Sequence, residues 1–143
     1  MNSYDIRLAQ ADDIAFIYSS CLKSLKHDSK LGTSTANRIF FDNYKLVLDR
    51  ILADNNTQVF VACKPDEPHV IFGYMIAEPV NSVLHYVFVK EAFWNLGIAS
   101  SLFKKAFNQG TGVVSVTHKT RTAEPYMHNR NLIYNPYLLF KGV

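Results

Sequence analysis

The feature that most constrains the fold is a strand-like segment that runs through a glycine turn into an amphipathic stretch. Residues 83–90 read VLHYVFVK, and their β-branched and aromatic side chains favour a strand. Residues 97–107 read GIASSLFKKAF, with apolar residues at helical spacing and two lysines on the other face. A helix that begins at such a turn presents free N–H groups, which suit a phosphate. The turn either binds a phosphate or merely joins a strand to a helix.

The rest of the chain predicts further strands and helices around this unit. We expect the polar segment 26–34 to be a mobile loop and residues 108–110 to end the helix in a glycine stop. The predicted order is β-α-α-β-β-β-α-β-α-β, an α/β (α+β) fold in which helices flank a mixed, mostly antiparallel central sheet. Residues 1–143 are read as one domain. The other predicted strands cover 4–8, 58–63, 70–78, 113–117 and 132–140, and the other helices cover 11–25, 35–53 and 122–129.

Composition excludes several classes of function. The 143 residues are 48% hydrophobic and carry a net charge of only +3, too little to argue for a nucleic-acid partner. The beginning of the sequence does not resemble a secretory signal, and no apolar run is long enough to cross a membrane. The two cysteines lie far apart, which favours the reducing cytoplasm, and the five histidines do not fall at metal-ligand spacing. The sequence therefore predicts a cytoplasmic protein without a metal.

A family resemblance gives the glycine turn a more specific meaning. Neither GxGxxG nor GxxxxGK[ST] occurs, which disfavours a dinucleotide-binding fold and a P-loop. The segment HYVFVKEAFWNLGIASSLF instead resembles the GCN5-related N-acetyltransferase superfamily, in which the fourth strand precedes [Q/R]-x-x-G-x-[G/A] and a helix. Gly97 and Ala99 fit this motif, Leu102 fits the following apolar position, and IRLAQADDIAFIY resembles the opening strand and helix of the family. The short chain is similar to compact bacterial or phage-type members.

This resemblance implies that acetyl-coenzyme A binds as co-substrate through main-chain atoms. The pantetheine arm would pair with a splayed fourth strand, and the pyrophosphate would lie on the turn that follows it. The implied strand contacts are Val87, Phe88 and Val89, and the implied turn contacts are Asn95, Leu96, Gly97, Ile98 and Ala99.

Trp94 departs from the family motif, because it stands where Gln or Arg is usual. Its ring offers no charge. It would either stack beside the cofactor or occupy the place of the pyrophosphate. The cofactor motif is therefore interpreted as degenerate.

The resemblance also implies catalytic residues. Transfer of an acetyl group from a thioester to an amine needs a base for the amine and a proton for the leaving thiolate. The family's base position, nine residues before Trp94, is His85, and the acid position falls on Tyr126. Alternatives remain open: His85 as a structural sheet histidine, Glu78 as the base, or another tyrosine as the acid. The other tyrosines near in sequence are Tyr134 and Tyr137, and His118 and Lys119 either line the acceptor cleft or form a solvated strand end.

Two functions of different classes follow. The first is an acetyl-coenzyme A-dependent N-acetyltransferase acting on the primary amine of a small molecule or protein. The second is a catalytically inactive protein of the same fold, which works as a binding or structural component of a homo-oligomer or assembly. A phage-encoded protein is one form of this alternative. The first is the leading interpretation. Trp94, Pro125 beside the predicted acid and the many aromatic residues permit the second.

Overall fold

A computed structural model describes residues 3–107, 112–120 and 131–140. Six strands form one sheet in the order β1-β2-β3-β4-β5-β6. The first four strands pair antiparallel, whereas β4 pairs with β5, and β5 with β6, in parallel. The strands are β1 (Asp5–Leu8), β2 (Gln58–Lys64), β3 (Glu67–Glu78), β4 (Val83–Val89), β5 (Val114–Val116) and β6 (Leu132–Tyr134). The α-helices are α1 (Ile14–Asp28), α2 (Lys30–Ser34), α3 (Asn37–Ala53) and α4 (Ile98–Ala106).

This architecture confirms the predicted fold class, a mixed and mostly antiparallel sheet flanked by helices. The predicted glycine stop at 108–110 and the predicted helix at 122–129 lie outside the described residues. The last strand, predicted over 132–140 with an interruption at Pro136, ends at Tyr134, and a 3-10 helix covers Pro136–Phe140. Proline cannot donate to a sheet ladder, which accounts for the strand ending before Pro136.

The prediction of a mobile loop over 26–34 is wrong, because α1 continues to Asp28 and α2 follows at once. Ser29 caps α2, its hydroxyl accepting a hydrogen bond from the Gly32 amide at 3.0 Å. The buried Lys26 ammonium donates to the Gly32 carbonyl at 2.7 Å. A Cβ atom on Gly32 would lie 2.1 Å from the Leu25 carbonyl oxygen, so only glycine permits this close packing.

Each face of the sheet covers its own hydrophobic core. One core packs against α4 and includes the fully buried Leu102, whereas the other packs against α1 and α3 and includes Ile17. An irregularity in the β3–β4 pairing sets which β4 side chains enter which core: Ala77 pairs with Leu84, but its neighbour Ile76 pairs with Tyr86. His85 is thus the extra residue of a β-bulge.

The bulge changes the alternation of side chains along β4. In a regular strand, Leu84 and Tyr86 would share a face. Here Leu84 joins the core under α4 and Tyr86 the core under α1 and α3. His85 lies between them at the point where β4 changes face.

The helices described here are too short or too polar to cross a membrane. Within residues 3–107, 112–120 and 131–140, no three His, Cys, Asp or Glu side chains are grouped so that they could hold a metal ion. Cys21 and Cys63 are both buried free thiols.

Candidate active site between β4, β5 and α4

A cavity of about 600 Å³ opens where β4 separates from β5. The parallel pairing of these two strands covers only Val83 and Leu84, after which β4 diverges. The cavity runs along the free edge of β4 to the start of α4. It is lined by seven of the eight predicted cofactor-binding residues, namely Val87, Phe88, Val89, Asn95, Gly97, Ile98 and Ala99.

The eighth, Leu96, is exposed and is not among the lining residues. The lining also includes residues that the sequence did not single out, among them Ser24 on α1 and Phe93 before the turn. Ser24 lies far from the motif in the sequence, and the side chain of Phe93 has no polar group. Only the folded sheet shows that they belong to the cavity.

The backbone of β4 directs hydrogen-bonding groups into this cavity. Gly73 of β3 lies opposite Val89. The next amide, that of Lys90, donates to the Phe72 carbonyl at 2.9 Å, which makes the Gly73–Val89 pair a non-hydrogen-bonded one. The N–H and C=O groups of Val89, and of Val87 two residues earlier, therefore point away from β3. An extended ligand with amide groups could pair with them as an additional strand does.

The turn before α4 exposes further backbone groups. Asn95 and Gly97 both have positive φ angles, 65° and 79°. Nothing lies within 4 Å of the position that a Cβ of Gly97 would occupy, so this side of the turn is open space. The amide groups at the start of a helix carry partial positive charge, because they have no partner within the helix. The turn therefore has the geometry and electrostatics of an anion site, and it adjoins the free edge of β4.

Trp94 lines the cavity and is 48% exposed. Its indole N–H donates to the Val89 carbonyl oxygen at 2.7 Å. This hydrogen bond occupies one of the outward-directed groups of β4. A ligand that pairs with the same carbonyl must displace the indole or share the oxygen with it.

His85, the predicted base, has a ring that is held on both sides. Its side chain is buried, with only 3% of the residue exposed. Nδ1 lies 2.9 Å from the Thr117 hydroxyl, and Nε2 lies 2.6 Å from a carboxylate oxygen of Glu78. Burial lowers the pKa of His85, while its hydrogen bond to Glu78 opposes that change. Glu78, the alternative base, thus belongs to the same hydrogen-bonded group.

His118 follows β5 and lines the cavity. Its Nδ1 lies 2.9 Å from the His85 carbonyl oxygen and 2.8 Å from the Thr117 hydroxyl. The ring packs edge-on against Tyr44, with 5.6 Å between centroids. Burial, with a smaller contribution from His85, lowers the pKa of His118 to about 4. Of the two alternatives that the sequence left open, the structure supports the one in which His118 lines the cleft.

The predicted acid Tyr126 lies outside the described residues. The two alternative tyrosines, Tyr134 and Tyr137, are exposed and are not among the lining residues of the cavity. The choice of the acid therefore stays a prediction.

This mixed sheet, with a helix that begins after β4, matches the fold of solved GCN5-related N-acetyltransferases. The sequence matches no protein-family model and no curated protein. Solved structures match over most of the chain. A predicted acetyltransferase from Clostridium acetobutylicum, solved with acetyl-coenzyme A, is 12% identical with a TM-score of 0.60, covering 88% of this chain and 87% of that one. A GCN5-related N-acetyltransferase from Rhodopseudomonas palustris is 14% identical with a TM-score of 0.58, covering 91% and 81%. At such identities the likeness concerns the fold.

Proposed function

We propose that this protein is an N-acetyltransferase that moves an acetyl group from acetyl-coenzyme A to a primary amine of a small molecule or protein. One observation carries the proposal: a single cavity joins the free backbone edge of β4 to the open turn at Gly97. The β4 edge fits the two amides of pantetheine, and the turn fits the pyrophosphate. The two sites follow one another in the order in which these groups occur in the cofactor.

The cavity also supplies groups suited to the transfer. His85 and His118 line the cavity, and hydrogen bonds connect them to Thr117 and Glu78 behind it. A proton can be accepted and held in this polar cluster. We assign base function to this cluster, which includes the predicted base His85. Tyr126 remains the proposed acid that protonates the thiolate.

The proposed acceptor is a primary amine, and the cavity lining disfavours a polycation. Among its described lining residues the cavity has no Asp, Glu, Lys or Arg side chain. A polycationic acceptor would need carboxylates to hold its additional charges. A solved aminoglycoside N-acetyltransferase in complex with coenzyme A has the same fold, with 15% identity and a TM-score of 0.50. It supports an amine as the acceptor class.

The experiment that tests the proposal is a turnover assay. The purified protein is mixed with acetyl-coenzyme A and a panel of primary amines and peptides, and free thiol is followed. We expect thiol release that depends on the amine, together with an acetylated product of 42 Da greater mass, about the mass of an acetyl group replacing a hydrogen. Saturable binding of acetyl-coenzyme A without turnover of any amine would favour the inactive alternative.

One observation favours that alternative, namely the hydrogen bond from Trp94 to the Val89 carbonyl. It leads to a prediction: Trp94→Phe should bind acetyl-coenzyme A about 5-fold more tightly, because a competing hydrogen bond worth about 1 kcal/mol is removed. Isothermal titration calorimetry measures the difference directly. Weaker binding by Trp94→Phe would instead indicate that the indole supports the cofactor.

A further inference from the structure

We infer that His118 accepts the proton that the acceptor amine loses, and that Thr117, His85 and Glu78 relay a proton away from it. This inference rests on the proposed function and assigns its base. His118 is 33 residues from His85 in the chain, and Thr117 and the backbone of His85 connect the two rings.

The chemistry of the partners fixes the direction of every hydrogen bond in this group. A carbonyl oxygen only accepts, so the Nδ1 of His118 that lies 2.9 Å from the His85 carbonyl must carry a hydrogen. A carboxylate only accepts, so the Nε2 of His85 that lies 2.6 Å from Glu78 also carries one. In a neutral ring the other nitrogen is then an acceptor.

Thr117 connects the two rings in a consistent direction. The Nδ1 of His85 accepts, so the Thr117 hydroxyl at 2.9 Å donates to it. The oxygen of that hydroxyl can in turn accept from the Nδ1–H of His118 at 2.8 Å. Each donor therefore points from His118 towards Glu78, which is the arrangement that a proton relay requires.

The relay begins at an unused acceptor. The Nε2 of His118 is deprotonated in this tautomer, is closed to solvent and bonds to no described residue. A buried acceptor without a donor costs about 1–3 kcal/mol, a cost that a donor entering with the substrate would remove. His118 lines the proposed acetyl-coenzyme A cavity, so a displacement of the lining as substrate enters would bring an amine or one intervening water to this nitrogen.

The relay ends where a proton can leave. Glu78 keeps 15% of its side chain exposed and lines a second, smaller cavity of about 150 Å³, beside Arg50 and Asp54. His85 lines both cavities, so the group connects the proposed reaction site with a separate opening.

The proposed step transfers one acetyl group and moves one proton along the relay. The amine nitrogen forms a C–N bond to the thioester carbonyl carbon and loses a proton to the Nε2 of His118, directly or through one water. The Nδ1 proton of His118 passes to Thr117, the hydroxyl proton of Thr117 passes to the Nδ1 of His85, and the Nε2 proton of His85 passes to Glu78. The C–S bond then breaks, and the thiolate takes a proton from the proposed acid or from solvent, while Glu78 exchanges its proton with solvent. A proton that passes back from Glu78 through His85 and Thr117 to the Nδ1 of His118, with loss of the Nε2 proton of His118 to solvent, restores both starting tautomers.

The relay never places a charge on either ring, because each ring gains one proton as it loses another. This agrees with the buried setting, which lowers the pKa of both histidines and disfavours their cations. A simple base at His118 would have to hold a positive charge there. The relay avoids this positive charge on the His118 ring.

The test combines kinetics with the tautomer of His118. His118→Asn retains an N–H donor near the position of Nδ1 but has no Nε2, and we expect kcat to fall about 100-fold with the Kd for acetyl-coenzyme A unchanged. Thr117→Val, which cannot relay, should lower kcat about 10-fold, and Thr117→Ser should restore it. His69→Asn, at an exposed histidine, serves as the matched control.

Nuclear magnetic resonance of the ring nitrogens uses the unsubstituted protein, so this test does not depend on whether a variant folds. We expect His118 to be protonated at Nδ1 and His85 at Nε2 at pH 7. A His118 protonated at Nε2, or a His118→Asn variant that keeps the wild-type kcat, would overturn the inference while leaving the proposed function standing. If the unsubstituted protein neither binds nor turns over acetyl-coenzyme A, the proposed function fails, and this inference fails with it.

Discussion

We expect Ala99→Glu to weaken the binding of acetyl-coenzyme A about 100-fold while leaving the protein folded. Ala99 is exposed, lines the cavity and belongs to the first turn of α4. A carboxylate there would face the proposed pyrophosphate. Two unit charges about 4 Å apart near a protein surface repel by about 4 kcal/mol, enough for the expected loss even when solvent reduces it.

The same substitution should have the opposite effect on stability. An acidic residue in the first turn of a helix interacts favourably with the helix dipole, by about 0.3–1 kcal/mol. Calorimetry with acetyl-coenzyme A and urea unfolding of the same preparation separate the two effects. Ala99→Gln is the matched control, since it has the same size without the charge. Equal affinities for Ala99→Glu and Ala99→Gln would exclude this turn as the pyrophosphate site.

We expect acidification from pH 7 to pH 5 to lower the free energy of unfolding by about 2 kcal/mol through His118. Burial lowers its pKa from 6.5 to about 4 in the folded protein. Between these values the unfolded chain binds a proton that the folded protein excludes. The stabilisation is therefore complete above pH 6.5 and is lost as the pH falls towards 4. His85, whose pKa is also lowered by burial, contributes in the same direction.

Urea unfolding measured at intervals between pH 7 and pH 5 tests this effect. Asp13 contributes little in this range, because its hydrogen bond to Arg7 lowers the pKa of its carboxyl from 3.8. In His118→Asn the decline should be smaller, since the titrating ring is gone. A free energy of unfolding that stays constant down to pH 5 would show that the His118 ring is not held neutral by burial.

The sequence predicted the elements that depend on local pattern. The period of apolar residues located α1, α3 and α4, and β-branched and aromatic runs located β2, β3 and β4. The glycine turn was identified because Gly97 stands between a strand and a helix. These features need only residues that are close together in the chain.

Features that depend on distant contacts were not predictable in this way. The segment 26–34 reads as polar, yet Lys26 is buried because its ammonium reaches the Gly32 carbonyl. The bulge at His85 depends on pairing with β3, and a one-residue change of register reverses the faces of a strand. The hydrogen bond of Trp94 likewise depends on where the chain turns back to Val89.

In the candidate site, the contacts of His118 likewise depend on residues that are distant in the sequence. Its partners, His85 and Thr117, are brought together by two parallel pairs between β4 and β5. The sequence places His118 after a strand, but no spacing indicates that its Nδ1 reaches the His85 carbonyl. The direction of the hydrogen bonds could be derived only from the folded arrangement.

The binding of acetyl-coenzyme A is tested most directly by a backbone amide titration followed by nuclear magnetic resonance. We predict that the largest shifts fall on Val87 and Val89 of β4 and on Gly97, Ile98 and Ala99 at the start of α4. Their peptide groups lie along the cavity where pantetheine and pyrophosphate are proposed to bind. The absence of shifts at millimolar acetyl-coenzyme A, or shifts confined to other parts of the protein, would contradict this assignment.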